Sequence, residues 1–295
     1  MIELAPEVRD ALASGEAVVA LETTLVAHGF PAGEGFGVAL EAERRVRAAG
    51  AVPATVGVLN GRVQVGLSAG ELERFAAAGD SARKAGPRDL AVCVAEGVLG
   101  ATTVGGTLAA CSVAGIRFLG TGGIGGVHRG FAERPDVSAD LGELARAAVL
   151  VVSSGVKSLL DVAATLEVLE ALGVPVLGWQ TETLPLFYTA GGGPAVPAAV
   201  ATAGEAAAVA RAHWSLDRAG LLLARSPVES LDVEPLIEAA LAEARSRHVT
   251  GPDVTPFVLA EIHRETAGES VRINKLLIAD NAGLAADVAT AYAES

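Results

Sequence analysis

The chain has 295 residues, about half of them hydrophobic and 19% charged, with 22 basic against 35 acidic side chains and a net charge of −13. That hydrophobic content supplies a buried core and excludes intrinsic disorder, and the acidic balance argues against nonspecific binding to nucleic acid or an anionic membrane. No run of 18 uncharged apolar residues reads as a membrane span, and the acid-bearing N-terminus does not read as a secretory signal, so a cytoplasmic protein is expected.

In chain order, Ala17–Val26 reads as a strand and Glu34–Ala49 as a helix. Ala54–Leu59 and Arg62–Leu67 flank Asn60-Gly61, a strong hairpin signal. Ser68 opens a helix, with Glu71 completing a capping box. Leu90–Val94, Arg117–Gly120, Ala148–Ser153, Val174–Gly178 and Leu221–Ala224 are predicted as short buried strands. Helices are predicted at Leu159–Leu172, Val200–His213 and Val233–Arg247. The last fifth is helical, including Thr255–Thr266, where Thr255-Pro256 suits an N-cap and first turn, and a stretch after Val271. Cys93 and Cys111 sit among apolar neighbours and read as reduced core thiols.

This alternation predicts an α/β fold: three layers, α/β/α, around a mixed, mostly parallel central sheet covered on both faces. The Asn60-Gly61 hairpin is what makes the sheet mixed. No composition shift, long linker or fixed-period repeat divides the chain, and the Gly/Pro-rich Ala190–Ala199 is short enough for a loop. Residues 1–295 are therefore expected to form one domain.

Four clusters fall at strand ends or in loops, where open α/β sheets place their sites. In Leu21-Glu22-Thr23-Thr24, a carboxylate leaves an apolar strand; it is either a strand-end acid or, if partly buried, a general acid. Thr121-Gly-Gly-Ile-Gly-Gly-Val-His-Arg-Gly130 lacks the lysine of a P-loop and the setting of a dinucleotide fingerprint. Its glycines read as close backbone approach to a ligand, as tight turning or as a flexible loop. Asp136-Val-Ser-Ala-Asp140 is oxygen-rich, either a hydrated divalent-ion site or a solvated helix-capping turn. Val151-Val-Ser-Ser-Gly-Val-Lys157 places a lysine between a buried strand and a helix, as a salt-bridged structural group or as an amine nucleophile. Of the 22 basic residues only Lys84, Lys157 and Lys275 are lysines, so an amine survives where arginine is otherwise preferred.

In order and spacing, these segments resemble the pseudouridine-5′-phosphate glycosidase family, also called indigoidine synthase A-like. The resemblance runs through Ala20-Leu-Glu-Thr-Thr-Leu-Val-Ala-His-Gly-Phe-Pro31, Pro53-Ala-Thr-Val-Gly-Val-Leu-Asn-Gly-Arg62 and Lys84 with Arg88-Asp89-Leu90. It continues through Gly100-Ala-Thr-Thr-Val-Gly-Gly-Thr107, the glycine run, Asp136-Val-Ser-Ala-Asp-Leu141, Ser154-Gly-Val-Lys-Ser-Leu-Leu-Asp161, Val254-Thr-Pro-Phe257 and the C-terminal helix. It implies Lys157 as the lysine that forms an imine with C1′ of ribose and Glu22 as the general acid/base. It implies Asp136 as the ligand of a divalent metal, typically manganese, held mostly through water. Lys84, Val104, Ser138, Ala139 and Asp140 become substrate-binding positions, with His128 in support. The implied activity is reversible cleavage of pseudouridine 5′-phosphate to uracil and ribose 5-phosphate, by a homotrimer.

The chain departs from the family pattern at Thr23, at Gly33-Glu34-Gly35, after Lys84, at Ala190-Gly-Gly and at Asp280, where the family has asparagine. Two of these changes remove basic charge and another adds acid, which bears on phosphate affinity. A class I Schiff-base phosphosugar lyase and a non-catalytic phosphosugar-binding relative are the competing readings. Release of uracil, release of another aldehyde, or binding without turnover separates the three.

Overall fold

The computed structural model describes residues 1–31, 33–133, 135–249 and 254–295. β1 (Ile2–Leu4) and α1 (Pro6–Ser14) lead to β2 (Val18–Glu22), buried along its whole length, and to α2 (Thr24–His28) and α3 (Glu34–Ala48). The strand expected over Ala17–Val26 thus stops at Glu22. There the Thr23 hydroxyl donates to the Val56 carbonyl (2.8 Å) and accepts from the Thr102 N–H (2.8 Å), so a side chain takes over from the ladder and the chain turns into α2.

β3 (Val52–Leu59) and β4 (Arg62–Val65) form the predicted hairpin, with Asn60 and Gly61 at φ 53° and 71°, as a type I′ turn requires. α4 (Ala69–Ala78) starts at Ser68 with both halves of the capping box made. β5 (Arg83–Ala85), α5 (Leu90–Glu96), β6 (Gly100–Thr102), α6 (Val104–Ala114) and β7 (Phe118–Gly120) follow.

Leu90–Val94, expected as a strand, is the body of α5. Leu90, Cys93 and Val94 turn inward at helical spacing while Ala91 and Val92 face out, so the apolar run is a one-faced helix, closed by Gly97 in the left-handed conformation.

The second half comprises β8 (Val127–His128), α7 (Ala139–Leu144), β9 (Leu150–Ser153), β10 (Leu160–Asp161), α8 (Val162–Ala171), β11 (Val176–Trp179), β12 (Ala198–Val200), α9 (Ala203–Ser215), β13 (Leu221–Arg225), α10 (Glu234–Ser246), α11 (Val254–Glu265) and α12 (Glu269–Ala293). Two predicted helices start later than expected. Leu160-Asp161 pairs with His128 and Val127 before α8 begins, and the Asp161 carboxylate caps that helix by accepting from the Ala164 N–H (3.0 Å). Ala198–Val200 adds an edge strand before Thr202 caps α9. α11 already includes Val254, so Thr255 lies inside the helix rather than at its cap.

The main sheet runs β1-β4-β3-β2-β7-β9-β13-β11-β12, with β6 joined to β3 and β5 to β6. Among the described residues, only its β3–β4 and β3–β6 strand pairings are antiparallel, so it is mixed and mostly parallel. Helices flank it in the expected three-layer arrangement, with α12 packed against α3, α9 and the central strands β2, β7 and β9. The core holds Val19, Ala20, Val151, Val152, Leu222 and Leu223, all fully buried. Burial of each such valine or leucine contributes about 1.5–3 kcal/mol. Because β2, β7 and β9 are parallel neighbours, Glu22, Thr121 and Ser154 emerge together at one carboxyl edge of the sheet.

Candidate active site

Glu22 ends β2 with only 4% of its surface exposed, and its carboxylate accepts a short hydrogen bond from the Thr121 hydroxyl. Burial pushes its pKa up to about 7, against the opposing charge of Lys157 and the Thr121 bond; Asp140 adds to the rise and Lys84 opposes it. A carboxyl group that exchanges its proton near neutrality suits general acid/base work. Thr121 is itself held: its N–H donates to the Val152 carbonyl (3.0 Å), and its own carbonyl accepts from Asn281 Nδ2 on α12 (2.8 Å). The same amide donates to Ser154 Oγ (3.1 Å), tying the ends of β7 and β9 to α12.

Lys157 is half-buried beyond β9. Its N–H donates to the Ile124 carbonyl (3.2 Å), and its own carbonyl accepts from the Leu160 N–H (2.9 Å), so a tight turn in contact with the glycine run presents the side chain. Residues 121–127 of that run are buried, which overturns the flexible-loop alternative. Protein packs closely against these glycines. A Cβ on Gly125 would stand 2.3 Å from Ser138 Oγ, and one on Gly126 2.3 Å from Thr165 Oγ1.

Asp140, 5% exposed, bridges two elements: its carboxylate accepts from the Gly105 N–H and the Gly125 N–H, both at 2.8 Å. Ser138 caps α7 by accepting from the Asp140 N–H (3.2 Å), with Ala139 exposed as the first residue of that helix. Val104 is the first residue of α6, where Thr103 caps the helix by accepting from the Gly106 N–H (3.2 Å). Lys84 is half-buried on β5, and its charge acts on Glu22, His28 and His128.

His128 donates its backbone N–H to the Asp136 carbonyl (3.0 Å), and its Nδ1 lies 3.9 Å from Asp136 Oδ2. Burial lowers the imidazole pKa, against the pull of Asp136. Among the described residues, no three His, Cys, Asp or Glu side chains converge as metal ligands. A part-exposed carboxylate with one imidazole beside it fits a divalent ion whose shell is mostly water.

All nine residues singled out in the sequence thus lie around one region at the carboxyl edge. Lys275 does not join them; it pairs with Glu34 at 2.6 Å. Cys93 and Cys111 are free, buried thiols, and burial pushes both up, Cys111 to about 12, which disfavours the thiolate. The acid introduced at Asp280 is taken up by Arg45 (3.4 Å) and Arg225 (3.3 Å). Thr23 keeps the hydroxyl function of its position through its bonds to Val56 and Thr102.

Sequence reasoning missed Thr121 and Ser154 as working groups, and saw Asn281 only as half of an altered pair. Thr121 opens the glycine run and Ser154 opens the lysine motif, but nothing local shows that a helix some 130 residues further on completes the set.

A family model described as indigoidine synthase A-like protein matches residues 7–291. The chain is 47% identical to the pseudouridine-5′-phosphate glycosidase of Chloroflexus aurantiacus, over all of this chain and 99% of that one. It is 49% identical to the enzyme of the same name from Herpetosiphon aurantiacus, over 99% and 98%. Among solved structures it resembles the prealnumycin C-glycosynthase AlnA in complex with ribulose 5-phosphate, with a TM-score of 0.90 and 36% identity over 100% and 97% of the two chains. An indigoidine synthase A-like protein from Thermotoga maritima follows at 0.88 and 35%, over 98% and 96%. The match runs from end to end, through every motif gathered at the carboxyl edge, and the chain belongs to the indigoidine synthase A-like family.

Proposed function

We propose that this chain is a C-glycosidase that cleaves pseudouridine 5′-phosphate, reversibly, to uracil and ribose 5-phosphate. The observation that carries this is the pairing of a buried acid poised near neutrality, Glu22, with the amine of Lys157, whose charge acts directly on it. The names of the relatives and the ribulose 5-phosphate bound by the C-glycosynthase support the same substrate class.

The chemistry explains the residue types. A glycosidic carbon–carbon bond offers no lone pair on the leaving atom, so two carboxylates across the bond, as in ordinary glycosidases, do not suffice. In the proposed course, Glu22 in its acid form protonates the ring oxygen as the bond from C1′ to that oxygen breaks, and the Lys157 amine bonds to C1′ in its place. The amine gives up a proton to the Glu22 carboxylate, and Glu22 returns it to C5 of uracil as the C1′–C5 bond breaks. That electron pair stays with the base, and the nitrogen lone pair forms the C1′ iminium on Lys157. Water adds to the iminium and frees the amine, releasing ribose 5-phosphate. Lys84, the backbone at Val104 and the segment Ser138–Asp140 are the proposed positions for substrate, with His128 supporting them. A divalent ion such as manganese, held by Asp136 largely through water, would supply positive charge against the phosphate.

The test is borohydride trapping with ribose 5-phosphate or pseudouridine 5′-phosphate, followed by peptide mass mapping. A ribityl-phosphate adduct on Lys157, absent in Lys157→Arg, is the expected result. A folded, metal-supplied protein that releases uracil without an adduct would remove the Schiff base, and one that does neither would remove the activity.

A further inference from the structure

Arg129 has no part in the chemistry above, yet its contacts converge on the Lys157 turn. Its Nη2 donates to the Ser158 carbonyl (2.7 Å) and its Nε to the Leu160 carbonyl (3.3 Å), one and three residues beyond the lysine. Nη1 donates to Glu234 (2.7 Å) and to Glu238, and Nη2 reaches the second oxygen of Glu234 (3.1 Å). A guanidinium carries five N–H donors, and these five bonds use all of them.

Two carboxylates from α10 neutralise the cation. An arginine beside a glycine-rich loop invites the reading of a phosphate ligand, but this one has neither a donor nor net charge left for an anion. What it does instead is join three parts of the fold. It leaves the end of β8, crosses to the backbone of the Lys157 turn and anchors there on α10. The Lys157 backbone is held by its own N–H and carbonyl, to Ile124 and Leu160. Arg129 adds a side-chain donor to each of two carbonyls that follow it, those of Ser158 and Leu160.

We propose that Arg129 is a positioning residue for Lys157, setting the direction from which Nζ meets C1′, with Glu234 and Glu238 holding the guanidinium in place. The inference rests on the reading of Lys157 as the imine-forming lysine. Displacing a reacting group by about 1 Å costs on the order of 10²-fold in rate while leaving ground-state binding largely intact.

The experiment is single-turnover imine formation with ribose 5-phosphate, quenched by borohydride and quantified on the Lys157 peptide, across substrate concentration. It is run on wild type, Arg129→Lys and Glu234→Gln/Glu238→Gln, with near-ultraviolet circular dichroism to check folding. Lysine keeps the charge but not the planar fork that spans two carbonyls and two carboxylates. Arg129→Lys is expected to lose roughly 10²-fold in saturating rate, with half-saturation within about threefold of wild type. The double glutamine variant, altered only at exposed side chains, is expected to lose rate in the same direction, with half-saturation unmoved.

A phosphate ligand predicts the opposite: Arg129→Lys would weaken half-saturation at unchanged rate, and neutralising the two glutamates would tighten it. That pattern, or wild-type rates in both variants, overturns the proposal. If Arg129→Lys does not fold, the double variant decides. Absence of any adduct on wild-type Lys157 is the separate outcome that removes the Schiff-base reading itself.

Discussion

Glu22 concentrates the energetic tension of the site. Its folded pKa of about 7 lies above the ordinary carboxylate value of 4.5 because burial disfavours the anion more than Lys157 and Thr121 favour it. Between those two values the folded chain keeps a proton that the unfolded chain has released. Stability therefore falls as pH rises through that window, by about 3 kcal/mol in all, and stays lowered above it. Glu22→Gln removes the charge that has to be buried. It is expected to exceed wild type in stability by about 1–3 kcal/mol at pH 8, the gap closing as pH falls toward 4.5. Its turnover is expected to drop by roughly 10²–10⁴-fold. Urea melts from pH 4.5 to 8.5 and a uracil-release assay read these two effects; a gap that stays constant with pH would count against the buried acid. The residue types were readable in advance, since a carboxylate leaving an apolar strand and a lysine in an arginine-rich chain both stand out. Their partners were not, because Thr121 and Asn281 meet Glu22 and Ser154 only through strand order and the seating of α12.

At the scale of elements, local signals held where a local mechanism operates. Asn60-Gly61 and Ser68 with Glu71 specify their turn and cap by backbone conformation and neighbouring hydrogen bonds. They failed where a distant partner decides. Leu160-Asp161 is a strand because it meets His128 and Val127, and α5 is a helix whose apolar run resembles a buried strand until its outward Ala91 and Val92 are counted. The glycine run belongs to the second group. Gly125→Ala would drive a methyl into Ser138 Oγ, Ser138 Cβ and Asp140 Oδ2, forcing the run away from α7. The expected cost is about 1–3 kcal/mol in a denaturant titration, together with a steep loss of turnover. Wild-type behaviour at both would mean that this packing does not hold the site.

For the molecule as a whole, stability and activity draw on different parts. The core of Val, Leu and Ala on both faces of the sheet carries the fold, whereas the proposed metal position at Asp136 sits part-exposed in a turn. Chelation with EDTA is expected to abolish turnover, reversibly on adding Mn²⁺, while the melting temperature moves by no more than about 2 °C, since an ion held mostly through water binds too weakly to stabilise much. Unfolding on chelation would make the ion structural instead.

The sequence by itself determined the alternation of elements, the hairpin that makes the sheet mixed, and the family, because hydrophobic period, turn chemistry and long motifs are local properties of the chain. Tertiary structure alone decided that the glycines serve packing against α7 and α8, that Asp280 is neutralised by Arg45 and Arg225, and that Arg129 faces two glutamates rather than solvent. Each of these depends on which surfaces meet when parallel strands are ordered and helices close over them, and no local pattern encodes that.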